Sequence, residues 1–150
     1  MPLLRRPAAR PAETPPLTSE RIAAWLRSEG YVFATDDDGD QTAKWDGHDV
    51  WFYRHGERNE VLNVRGIHKR LFSPASKDEI LLLINEWHRD RPWPKAFATV
   101  DDVGDLRIQA SHSYDLEHGV TDEQLAQFLD CSLSTILQFF QYMDAAVTST

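Results

Sequence analysis

The spacing of apolar residues changes along the chain between a helical and a strand period. A helical stripe predicts a first helix over residues 19–29. Thr18 is placed to cap it, and Gly30 can supply the left-handed residue that ends it. The stripe consists of Ile22, Trp25 and Leu26.

A block with strand periodicity follows the first helix. It predicts strands at residues 41–45, 48–54 and 61–70, with Asp46-Gly47 as a two-residue hairpin turn. Strict alternation divides the second and third strands into an apolar side and a mixed side. The apolar side holds Val50, Phe52, Leu62 and Val64, and the other side holds Trp51, Tyr53, Asn63 and Arg65.

The second helix is predicted to start at a capping box made by Ser76 and Glu79 and to end before Pro92. Residues 80–84 are continuously apolar, and Trp87 continues the stripe. Such a wide apolar face indicates a helix that is covered on more than one side.

The C-terminal part reads as a hairpin followed by a long helix. Strands are predicted at residues 97–100 and 106–112. Thr121 and Gln124 have capping-box spacing, and the apolar residues that follow keep a helical period, so a helix is expected over residues 122–145.

The predicted order is helix, strand meander, helix, two strands, helix. No helix separates the strands of the meander, so the fold class is α+β, with an antiparallel sheet and helices packed on one face. The other face of that sheet must then meet water or a partner.

Composition and charge narrow the possible partners. The chain carries a net charge of -8, yet residues 1–16 carry +2 and five of the eight prolines. We therefore predict a flexible Pro/Arg-rich tail at 1–16 and a single domain at 17–150. An acidic domain repels phosphate backbones, so nucleic acid is not expected as a partner.

Two further features bear on the location of the protein. No apolar run is long enough for a membrane span, so no membrane association is expected. Cys131 is the one cysteine, which rules out an intramolecular disulfide and fits a reducing compartment. A cytoplasmic location is predicted.

Metal and catalytic motifs are weak. Asp36, Asp38 and Asp40 alternate like calcium ligands, but the sixth and twelfth loop positions lack the glycine and glutamate of an EF-hand. His112 and His118 flank an acidic loop without zinc-helix spacing. No nucleophile elbow or phosphate loop is present. We expect no catalytic residues, no metal ligands and no cofactor.

Residues 87–94 concentrate tryptophan, arginine and proline at the end of the second helix. Trp and Arg contribute most to binding energy at protein interfaces, whereas the alternative is a helix stop whose tryptophans fill the core. Combined with the mixed side of the sheet, they give six candidate partner-binding residues: Trp51, Tyr53, Arg65, Trp87, Arg91 and Trp93.

A set of short motifs resembles the YbjN-domain family, bacterial proteins described as sensory transduction regulators. The motifs are Asp37-Asp38-Gly39-Asp40, Trp45-Asp46-Gly47, Val64-Arg65-Gly66, Asn85-Glu86-Trp87, Arg89-Asp90, Trp93-Pro94-Lys95 and the run from Asp115 to Leu125. The chain departs from the family pattern at Ile67-His68 and His88. The resemblance implies a fold like that of type III secretion chaperones, often dimeric, and no reaction.

The sequence therefore predicts a non-enzymatic regulatory or chaperone-like module that binds a protein or peptide and forms a homodimer. The alternative is a sensor of a small molecule or metal ion that uses residues 36–40 or 112–118. Either the last helix or a sheet edge could form the dimer surface.

Overall fold

The computed structural model describes residues 14–147 and confirms the predicted α+β class and element order. The elements are α1 Ser19–Ser28, β1 Ala34–Thr35, β2 Gln41–Trp45, β3 His48–His55, β4 Val61–Phe72, α2 Lys77–Asp90, β5 Lys95–Val100, β6 Leu106–Asp115 and α3 Asp122–Ala146. A 3-10 turn, Pro74–Ser76, precedes α2.

All six strands form one antiparallel sheet in the order β1-β2-β3-β4-β6-β5. The hairpin predicted at Asp46-Gly47 is confirmed, since both residues have the positive φ angles (53° and 84°) that a type I′ turn requires. After β4 the chain crosses through α2 to the edge strand β5 and returns by β6. Strands β4 and β6, which α2 and β5 separate in the sequence, thereby become neighbours in the sheet.

The three helices share one core on one face of the sheet. Helix α3 lies closest to the sheet at Gly66, where an added Cβ would collide with Ile136 and lie 3.0 Å from the ring of Phe140. Glycine is needed there because the helix approaches the strand backbone directly. The row across the sheet at this point has small or short side chains: Ala43, Val50, Gly66, Ala110 and Ala96.

Two predicted helix starts are confirmed. Thr18 accepts a hydrogen bond from the amide of Arg21 at 3.2 Å, and Thr121 and Gln124 form a reciprocal capping box. Each of these side chains satisfies an amide that would otherwise lack an acceptor in the first turn.

The helix start predicted at Ser76 is confirmed, since Ser76 is the N-cap of α2, but the capping box predicted there is wrong. Ser76 makes no side-chain capping bond, because the Pro74–Ser76 turn continues directly into the helix and Ser73 caps that turn instead. The prediction that α2 is covered on more than one side is also wrong within the described chain: Leu81 is 45% exposed and Leu82 60%.

The packed part of the chain begins before the predicted boundary at residue 17. Arg21 donates to the carbonyls of Pro15 at 3.0 Å and Pro16 at 2.8 Å, and the Val120 amide donates to Pro15 at 2.9 Å. Residues 1–13, the remainder of the predicted tail, lie outside the described residues.

Candidate functional site

The sheet face opposite the helices is the first candidate site. Its central row pairs Trp51 of β3 with Arg65 of β4 and Ser111 of β6. Lys95 of β5 pairs with Ser111 and completes this row. Alternation along the strands places Tyr53 and Asn63 in the next row on one side, and Phe97 of β5 in the next row on the other side. We call the surface made by Trp51, Tyr53, Asn63, Arg65, Ile67, Lys95, Phe97 and Ser111 the open face.

An aromatic stack occupies one side of the open face. The rings of Trp51 and Tyr53 lie 5.5 Å apart at an interplanar angle of 4°, and both side chains are half-buried. Residues two apart on a strand point to the same side, which is why the sequence produces this stack. Burial raises the pKa of Tyr53, while the positive charge of Arg65 opposes that shift.

Polar groups without partners lie beside the stack. Arg65 places its guanidinium 5.8 Å from the centre of the Phe97 ring, and its buried Nε has no hydrogen-bond partner within residues 14–147. Asn63 donates from Nδ2 to Ser113 at 2.7 Å, whereas its buried Oδ1 accepts nothing from that part of the chain. Three further buried atoms without partners lie elsewhere in that part of the chain, on Gln41, Arg54 and Trp87, so such atoms are not confined to the open face.

The other three candidates lie on the helix side of the sheet. Trp87 is 3% exposed and packs against Phe139 in the core, so it cannot contact a partner directly. The guanidinium of Arg91 lies 4.1 Å from the centre of its ring. Trp93 is 46% exposed and stacks on His112 at 5.5 Å. The structure therefore brings Trp51, Tyr53 and Arg65 together and separates them from the residues 87–93.

Sequence reasoning missed a cluster of two histidines and a carboxylate on the helix side. His48 of β3 and His68 of β4 have ring centres 4.5 Å apart, and His68 Nε2 lies 2.8 Å from Asp144 Oδ1 of α3. Burial, with a smaller effect from His68, lowers the pKa of His48 to about 4, and burial also lowers the pKa of His68. Within residues 14–147 this is the one group of three such side chains close enough together for a metal ion.

The hydrogen bonds of this cluster do not fit a metal site. His48 Nδ1 accepts from the amide of Lys69 and His68 Nδ1 accepts from the amide of Arg70, each at 3.0 Å. A neutral imidazole that accepts at Nδ1 carries its proton on Nε2. Metal-binding histidines have the reverse arrangement, since they use one bare nitrogen for the metal and donate from the other. The cluster is a pair of neutral histidines with a carboxylate.

Residues 36–40 and 112–118, the two candidate ion-binding regions from the sequence, do not form clusters of ligands in the structure. Asp36 Oδ1 accepts from the amides of Asp38 at 3.0 Å and Asp40 at 2.9 Å, which closes the loop on its own backbone. His112 is half-buried, whereas the side chain of His118 is 93% exposed and lies 3.2 Å from Glu117.

A ladder of four rings runs from Trp93 through His112 and Tyr114 to Phe128, with centre distances of 5.5, 4.4 and 4.4 Å. Ser132 lies beside it but is fully buried and donates to the Phe128 carbonyl at 2.7 Å. That hydroxyl cannot reach a substrate. The ladder borders a cleft of about 180 Å³ and forms a structural contact between β6 and α3.

The protein is an α+β domain with helices on one face of the sheet and an aromatic and cationic surface on the other. The chain belongs to the YbjN family, described as "Putative bacterial sensory transduction regulator", whose sequence model matches residues 18–145. A search of curated proteins gives no match. No helix within residues 14–147 is long and apolar enough to cross a membrane.

Two solved structures share the fold. A crystal structure of YbjN from E. coli, described as a putative transcription regulator, has a TM-score of 0.73 at 18% identity, covering 86% of this chain and 92% of that one. The HopA1-SchA chaperone–effector complex has a TM-score of 0.52 at 15% identity, covering 84% and 96% respectively. The chaperone-like fold implied by the sequence motifs is confirmed.

Proposed function

We propose that this protein is a non-enzymatic regulatory module that holds a segment of another protein on its open face. The half-buried Trp51–Tyr53 stack on the strand next to Arg65 carries this proposal. Trp51 pairs directly with Arg65, so the rings and the guanidinium lie on the same side of the sheet. A bound segment could cover the aromatic rings and place an acceptor against the guanidinium.

The aromatic stack supports the same function. Trp51 and Tyr53 present apolar area next to Arg65, and the combination of Trp, Tyr and Arg is typical of interface centres. The likeness to one chain of a chaperone–effector complex is a likeness of fold, and it agrees with a role in holding proteins. Homodimerisation and a cytoplasmic location remain predictions.

The ion-sensor alternative has less support, because the donors of the histidine cluster do not fit a metal ion and Asp36 closes its own loop. No arrangement in residues 14–147 joins an accessible nucleophile to a base. The Ser132–His112 contact at 3.3 Å involves a fully buried hydroxyl.

The test is affinity purification of the full chain from its native cells with quantitative mass spectrometry, using matched variants. Trp51→Ala and Arg65→Gln alter the open face, whereas Trp93→Ala and Arg89→Gln change the same residue types elsewhere. A partner that is lost from the first pair and kept by the second supports the proposal. Partners retained by both open-face variants, at unchanged melting temperature, would show that this surface does not bind them.

A further inference from the structure

Two cations converge on one aromatic ring of the open face. Arg65 of β4 and Lys95 of β5 each pair with Ser111 of β6, from opposite sides. The Arg65 guanidinium lies 5.8 Å from the centre of the Phe97 ring, and the Lys95 ammonium lies 5.5 Å from the same point. Both charges therefore lie within 6 Å of the centre of one ring.

No carboxylate neutralises these two cations within the described chain, although the protein as a whole is strongly acidic. The other cations nearby have partners. Lys44 forms an ion pair with Asp49, and Arg107 donates to the carbonyl of His68 at 3.0 Å. Neither Arg65 nor Lys95 has an ion-pair partner among residues 14–147.

An anion bound beside the Phe97 ring would be attracted by both cations. A guanidinium can bind a carboxylate with two parallel hydrogen bonds, which are stronger than hydrogen bonds between neutral groups. The charge of the whole chain, -8, opposes a long polyanion such as nucleic acid far more than it opposes one or two carboxylates on a peptide.

We propose that the open face selects an acidic protein segment, with a carboxylate between Arg65 and Lys95 and an apolar side chain on the Trp51–Tyr53 stack. This inference rests on the proposed function. Trp51 and Lys95 lie on strands three positions apart, or roughly 14 Å. An extended segment crossing the strands covers that distance in about four residues. The recognised motif is therefore an Asp or Glu within about four residues of an apolar or aromatic residue.

A display library of random 12-residue peptides, selected on the immobilised full chain, tests this directly. Parallel selections use Arg65→Gln/Lys95→Gln, Trp51→Ala and the control Arg89→Gln. Peptides bound by the wild type and the control should be enriched in the predicted motif. The double variant should lose the enrichment of acidic residues and bind the selected peptides about tenfold or more weakly, as expected for loss of a charge-assisted pair. A variant with Arg65→Lys in place of Arg65→Gln should bind the selected peptides more tightly than the double variant does, because it keeps the positive charge.

The outcomes separate the two proposals. Peptides that depend on Trp51 but show no acidic preference, or an acidic preference that survives in the double variant, overturn the charge selection and leave the binding face intact. Enrichment that is unaffected by both Trp51→Ala and the double variant, or no enrichment with any bait, overturns both proposals. Equal melting temperatures of the variants and the wild type exclude unfolding as the cause of lost binding.

Discussion

His68 donates through Nε2 to Asp144 at 2.8 Å while its Nδ1 accepts from the amide of Arg70. Both ring nitrogens are therefore used, one as donor and one as acceptor, and the ring is fixed as the neutral Nε2–H tautomer. A second proton could enter only at Nδ1, where it would face the amide proton. The adjacent His48 is fixed in the same way by the amide of Lys69. Acid should therefore weaken the junction of β3, β4 and α3.

The first prediction is a loss of stability in mild acid. The pKa of His48 is about 4 in the folded protein against 6.5 when exposed, and the pKa of His68 is also lowered. The unfolded chain binds these protons first, so the stabilisation is complete above pH 6.5 and is lost as the pH falls toward 4. His48 alone should contribute on the order of 2–3 kcal/mol. Urea unfolding between pH 8 and pH 4 measures it.

The groups around the two rings set the controls for that experiment. Lys69 and Arg70 lie on β4, Asp46 in the hairpin turn, and Asp144 on α3. Asp144→Asn removes the charge that favours the protonated form of His68 and so lowers its folded-state pKa further; its stability should fall more steeply than that of the wild type as the pH drops below 6.5. His118→Gln changes an exposed histidine and should leave the profile unchanged. A wild-type profile that is flat from pH 7 to pH 4.5 would refute the prediction.

The second prediction is that zinc and calcium do not stabilise the protein. A ligand at 100 times its dissociation constant adds about 2.7 kcal/mol to the free energy of unfolding, which raises the melting temperature by several degrees. We expect neither metal nor chelator to change the melting temperature at pH 7.5, because both Nε2 atoms carry protons. A rise with zinc that disappears in Asp144→Ala would mean that the rings can reorganise around a metal.

The open face followed from the sequence because a strand has a period of two. Once Val50 and Val64 were assigned to the core, Trp51 and Arg65 had to point the other way. The same logic could not reveal the convergence of Arg65 and Lys95 on Phe97, since that depends on β5 pairing with β6 rather than with β4.

The histidine cluster could not be predicted from local patterns. His48 and His68 lie on neighbouring strands, and Asp144 is 76 residues further along the chain. The departure from the family motif at Ile67-His68 was the one signal, and it did not indicate a partner. The capping box was predicted incorrectly at Ser76 for a different reason. The spacing to Glu79 fits such a box, but Pro74 starts a 3-10 turn that runs directly into the helix.

The third prediction concerns the contact between α3 and β4. Gly66→Ala places a methyl group against Ile136 and Phe140 in a core without space for it, and should destabilise the protein by about 1–3 kcal/mol. Ile136→Ala alone should also destabilise, by leaving a cavity. In the double variant the added methyl group partly fills that cavity, so its loss should be smaller than the sum of the two. Additive losses in urea unfolding would show that the two sites are not in contact.

The fourth prediction compares how much the ion pair of Arg21 and its hydrogen bonds to backbone carbonyls each contribute to the free energy of unfolding. Its guanidinium donates to the carbonyls of Pro15, Pro16 and Val120 and to Asp122, so it joins the N-terminal segment to the start of α3. The Asp122 side chain is 94% exposed, and a solvent-exposed ion pair contributes about 0–1 kcal/mol. Asp122→Asn should therefore change the free energy of unfolding little. Arg21→Gln leaves several carbonyls without a charged donor and should cost about 1–3 kcal/mol. Equal effects of the two variants would mean that the ion pair, rather than the carbonyl contacts, holds the segment in place.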